Sequence, residues 1–192
     1  MVVVGEKPIL EKTRGEIEQK LASMGDYVKM SYLQRALKSA LDFETKKFVS
    51  LKLAGIYEER RMHIDAARLV KAAAEITTTF KEKIQTYMKA IELNVRGGDY
   101  VEADRLFAQA LALGNNMDKR DIKEQYKNFY VNQAKSLITH DRRNNAKALY
   151  EKVITLEMNP AEKAEIQKTL LDLYYKLGNI KEYYALKAKI GQ

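Results

Sequence analysis

His63 and His140 are the only imidazoles in the 192 residues, so they come first in any search for acid–base or metal chemistry. They lie far apart in the chain. Neither falls in an H-E-x-x-H pattern or a comparable ligand spacing, which would put two imidazoles on one helix face around a metal. Both read as exposed histidines at turns. Glu58-Glu59 and Asp141 read as solvated carboxylates, and no spacing pairs two of them as general acid and base. Cysteine is absent, which excludes thiolate nucleophiles, disulfides and Cys-based zinc sites. No G-x-x-x-x-G-K-S/T or G-x-G-x-x-G phosphate loop occurs, and Gly97-Gly98 reads as a turn that needs unusual backbone angles. The expectation is a protein with no catalytic set, no metal and no cofactor, acting by binding.

Composition narrows the kind of binding. Hydrophobic residues are 46% and charged residues 31% of the chain, with only two prolines and nine glycines, which fits an all-α folded protein. The net charge of +8 favours acidic surfaces, phosphate or RNA in a salt-dependent way. The opening Met1–Lys7 lacks a signal-peptide pattern, and no window approaches the roughly 18 apolar residues of a membrane span. A cytoplasmic protein without membrane insertion is expected.

The elements that must carry any site are helices in pairs. In Gln85–Leu113, Tyr87, Ala90, Ile91 and Val95 share one helix face. After Gly97-Gly98-Asp99-Tyr100, a second face is formed by Ala103, Leu106, Phe107, Ala110 and Leu111. Similar pairs are expected over residues 9–41, 43–76, 118–158 and 161–190, with this one spanning 80–113. Pro8 suits a first helical turn starting near Ile9. Thr77-Thr78-Thr79 separates two pairs, Gly114 sits at a helix C-terminus, and Asn159-Pro160 ends one pair and starts the next. Met30, Ala66, Ala103, Ala146 and Tyr183 then occupy equivalent places, at spacings of 36, 37, 43 and 37 residues. Gly25-Asp26-Tyr27, Gly98-Asp99-Tyr100 and Gly178-Asn179-Ile180 read as one turn written three times. A two-helix unit at such a period is the mark of a stacked solenoid.

These residues are where the chain resembles the tetratricopeptide-repeat family. Gly98-Asp99-Tyr100-x-Glu102-Ala103 is similar to its G-D-Y-x-E-A turn, with Phe107 and Ala110 at its aromatic and small positions. Leu53, Tyr57, Ala66, Val70 and Ala73 match in the pair before. The period exceeds the usual 34 or so and is similar to the longer repeats of SNAP-type adaptors and proteasome-lid helical regions. The resemblance implies a right-handed α-α superhelix of about five helix pairs. It also implies a concave groove lined by the first helix of each pair.

Carried onto this sequence, that groove would be lined by Phe48, Leu51 and Glu58, then Gln85, Met88, Glu92 and Arg96. Asn128, Val131 and Lys135 would follow, then Lys168, Asp172 and Tyr175. The mixture suits a peptide or helix. Met88 and Glu92 stand where chaperone-binding members carry Lys and Asn, so the grip on a C-terminal carboxylate is not expected. A second surface is the edge carrying the turns within pairs, with Arg60, Arg61, Arg96, Arg142, Arg143 and Lys176. Cations there offset helix dipoles by about 0.3–1 kcal/mol each; the alternative is a basic rim for an acidic protein or RNA. The leading expectation is a non-enzymatic adaptor holding a protein segment, with a nucleic-acid-associated scaffold as the alternative. Ile9, Leu10, Ile17 and Leu21 mark the end at which copies of the chain could pair.

Overall fold

The computed structural model describes residues 9–191, and Pro8 lies outside them. The protein is all-α. The described residues form α1 (Arg14–Ala22), α2 (Asp26–Lys38), α3 (Phe43–Glu59), α4 (His63–Ile76) and α5 (Phe80–Gly97). There follow α6 (Tyr100–Leu113), α7 (Asn116–Thr139), α8 (Arg143–Val153), α9 (Pro160–Lys176) and α10 (Ile180–Lys189). Among the described residues no helix is long and apolar enough to cross a membrane.

The chain forms two compact units, divided inside the first turn of α7 between Lys119 and Arg120. In the first unit each of α2 to α6 packs on its neighbour in sequence, and α1 lies against α3. Its core holds Ile17, Leu33, Val49, Leu53, Ile91, Leu93, Val95 and Leu106, all almost fully buried. Each buried side chain of this size contributes roughly 1.5–3 kcal/mol from apolar area removed from water. In the second unit α9 packs against both α8 and α10. Tyr130, Ile122, Leu170 and Leu173 form its centre.

The backbone repeats more faithfully than the sequence. Arg61, Gly98, Asp141 and Gly178 all have left-handed φ, of 60, 85, 57 and 69°. In each turn the next amide donates five residues back: Met62 to Tyr57, Asp99 to Asn94, Arg142 to Leu137 and Asn179 to Tyr174, at 2.8–2.9 Å. This is the bond that closes a helix through a left-handed residue. Four residues further on stand Ala66, Ala103, Ala146 and Tyr183, each amide donating back to the residue after the left-handed one at 3.0–3.1 Å. The three alanines are fully buried, where a larger side chain would force the helices apart.

Several expectations are corrected. Gly25 is not a copy of this turn: its φ is −75°, and it stands as N-cap of α2. The turns at Arg61 and Asp141, which contain no glycine, are copies. Helix α1 begins at Arg14 rather than near Ile9, because Thr13 accepts from the Glu16 amide while Glu16 bonds back to the Thr13 amide. Gly114 does cap α6, but in extended backbone. Helix α8 stops at Val153, short of Met158. The Asn159-Pro160 boundary holds, with Asn159 and Glu162 forming a capping box at the start of α9.

Candidate functional site

One cleft lies in the first unit, where α1, α2 and α3 meet. Its volume is about 570 Å³. Its accessible apolar lining is Ala22 of α1 with Leu51 and Ile56 of α3, set over the buried Leu21 and Leu33. Glu18, Asp26, Lys29, Lys52 and Glu59 add mixed charge. Gly55 lies among them in the middle of α3, and a Cβ built there meets nothing within 4 Å. A glycine inside a helix costs about 0.8–1 kcal/mol relative to alanine. Packing among the described residues gives no reason for that cost. The position faces open space on the wall of a groove.

Leu51 lines this cleft and is 40% exposed. Glu58, Glu92 and Arg96 come together elsewhere in the same unit. The Lys89 ammonium donates to Glu58 at 3.0 Å and to Glu92 at 3.1 Å; the Arg96 guanidinium reaches the same two carboxylates. Burial pushes the Glu58 carboxyl up, but Lys89 and Arg96 outweigh it and hold it below the ordinary value. Gln85 is exposed and stands apart from this cluster. Met88 is only 4% exposed, so it is core and not groove lining. Phe48 is likewise buried, with the Arg14 guanidinium 4.7 Å from its ring centre.

His63 is not the exposed histidine the sequence suggests. It opens α4 half-buried, and its Nδ1 is buried with no hydrogen-bond partner among the described residues. Burial, and then the Arg96 charge, lower its pKa. His140 is exposed, its Nδ1 2.7 Å from the Ser136 carbonyl oxygen. A second cleft of the first unit, about 370 Å³, lies along α4 and α6. Glu102 on its wall is held at about 2 by Arg105 and Lys71, and so stays ionised. Among the described residues no group of three His, Cys, Asp or Glu side chains is arranged to hold a metal.

In the second unit, Asn128, Val131 and Lys135 of α7 do share a cleft, of about 190 Å³, with Tyr150 of α8 and Glu165, Ile166 and Thr169 of α9. Its base holds a residue that sequence reasoning passed over. The Lys127 side chain is 4% exposed, and its ammonium donates to Glu124 at 2.7 Å and to both oxygens of Glu162 at 2.9 Å. Burial alone would lower the Lys127 pKa; the two carboxylates outweigh it and raise it. Lys168 is exposed and outside this cleft. Asp172 is bonded to Lys176 at 2.8 Å, and Tyr175 packs its ring against Tyr183.

The cations of the expected rim are largely engaged. Arg60 lies 4.1 Å from the Tyr27 ring centre, Arg96 pairs with Glu58, Arg143 with Asp141 at 3.0 Å, and Lys176 with Asp172. Arg61 and Arg142 are exposed turn residues, the first in left-handed backbone. Of the residues at the α1–α3 cleft, the sequence singles out Leu51 for a groove and Leu21 for a pairing end, and assigns the others no contact. One signal for them was legible: a glycine inside the strongly helical run Phe43–Glu59. No protein-family model matches the chain, and no curated protein matches it.

Proposed function

We propose that the protein is a non-enzymatic helical-repeat adaptor of tetratricopeptide type, and that it holds an amphipathic helical segment of a partner protein in the cleft of α1, α2 and α3. The observation that carries this reading is Gly55. It is a helix-interior glycine with no packing role among the described residues, set where a partner would lie along α3. Leu51, Ile56 and Ala22 offer an open apolar seat over the buried Leu21 and Leu33, and the charges of Glu18, Asp26, Lys29, Lys52 and Glu59 give it a polar edge. That is the lining a helix-in-groove contact uses. The recurrence of one turn geometry at Arg61, Gly98, Asp141 and Gly178 supports the repeat part of the reading. A basic-rim scaffold for RNA has weaker support, because Arg96, Arg143 and Lys176 are already paired with carboxylates.

The test is a selection of displayed helical peptides on the full chain, followed by titration of the best binder. Peptides with one apolar face are expected to emerge, and Leu51→Glu with Ile56→Glu should abolish their binding. Selected peptides that bind the double variant as tightly as the parent would remove the cleft from consideration.

A further inference from the structure

The last two helices carry a surface of another kind, all within the second unit. Helix α10 has no buried residue along its length. Tyr175 of α9 and Tyr184 of α10 are 69% and 64% exposed, and Tyr183 lies against both, with ring centres 6.1 and 5.4 Å away. Lys187 sits 5.8 Å from the Tyr183 ring centre, and Lys181 and Lys189 are exposed on the same short helix. Between Tyr175 and Gly191 the chain has four lysines and one acidic residue, Glu182. Three contiguous tyrosine rings bordered by cations thus form an open face.

We infer that this face binds single-stranded nucleic acid, with bases stacking on Tyr175 and Tyr184 and the phosphate backbone running past Lys181, Lys187 and Lys189. Both halves of such a contact are present. Stacking needs exposed rings, and Tyr175 and Tyr184 keep most of their surface in solvent although each also touches Tyr183. The backbone needs cations beside the rings, and on α10 Lys181, Lys187 and Lys189 outnumber Glu182, while Lys176 is paired with Asp172. A folded protein partner would instead need aliphatic area, of which Ile180 is the one large, well-exposed side chain on this helix. The contact is distinct from the cleft of the first unit and from the arginines of the turns. It would read little sequence, because every base has a stacking face.

The experiment is fluorescence anisotropy of the full chain with labelled oligouridine and oligothymidine of about 12 nucleotides, within the span such surfaces cover. Titrations run at low and raised salt. Both strands should bind at low salt and weaken as salt rises. Stacking contributes about 1–3 kcal/mol per base, so Tyr175→Ala with Tyr184→Ala should weaken binding at least about tenfold while circular dichroism stays unchanged. The Phe pair at the same positions should restore it. If the alanine pair disturbs the helix, Lys181→Glu with Lys187→Glu serves instead, and should weaken binding and flatten its salt dependence. Four results would overturn the inference. They are no binding at low salt, equal affinity for a duplex of the same length, indifference to the tyrosines in a folded variant, and binding of polyglutamate with the same tyrosine dependence. The last would make the face a site for acidic protein.

Discussion

Replacing Gly55 by alanine should make the free protein more stable and its complex weaker. The added methyl meets no heavy atom within 4 Å, so no packing penalty offsets the gain in helix propensity. That gain is about 0.8–1 kcal/mol. In a unit of this size it corresponds to a rise of roughly 3–5 °C in melting temperature. In the complex the methyl occupies space that the bound helix needs. Overpacking of a well-filled contact costs about 1–3 kcal/mol, which lowers affinity by roughly 5- to 150-fold. Thermal unfolding followed by circular dichroism measures the first effect; calorimetric titration of the selected peptide measures the second. A stability gain with unchanged affinity would mean that nothing approaches α3 at Gly55. A stability loss would mean that this wall of the cleft is packed in the free protein, and the case for an open seat would fail.

Three further outcomes follow from other parts of the molecule. Lys127→Ala should cost the protein about 2–3 kcal/mol in urea unfolding, somewhat below the usual 3–5 for a broken buried pair because Glu124 and Glu162 retain access to water; a change under about 0.5 would show the triad to be idle. Gly97→Ala should destabilise by about 1–3 kcal/mol, since the new Cβ would collide with the Ile64 side chain, and Ile64→Ala in the same chain should recover part of it. His63 gives a pH dependence whose sign is fixed by its lowered pKa: below about 6.5 the unfolded chain binds the proton that the folded one resists. Stability should therefore fall as pH drops from 7.5 to 5.5, and in His63→Gln that fall should be smaller.

How far the sequence could be read differs by level. Helix pairs were legible because burial is periodic: Ala66, Ala103 and Ala146 recur at one register and are all fully buried. Caps with short-range chemistry were legible too, as at Asn159-Pro160, and Thr13-x-x-Glu16 was readable though the Pro8 signal obscured it. Turns were harder. A left-handed residue is announced by glycine at Gly98 and Gly178, but Arg61 and Asp141 adopt the same backbone without it, while Gly25 does not. At the candidate sites the limits are long-range. Glu58 meets Lys89 and Arg96, 31 and 38 residues away, and Lys127 meets Glu162, 35 residues away. No local pattern specifies such partners. Met88 shows the remaining difficulty: face periodicity separates inside from outside, yet it leaves open whether a flanking position lines a groove or enters the core.

The measurement closest to the central claim is site-specific photocrosslinking of the selected helical peptide to the full chain. A photoreactive residue at Leu51, on the cleft, is compared with one at the exposed Ala108 of α6, which is outside it. The account predicts crosslinks from position 51, suppressed by Gly55→Ala, and none from position 108. Crosslinking from 108 with none from 51 would contradict it.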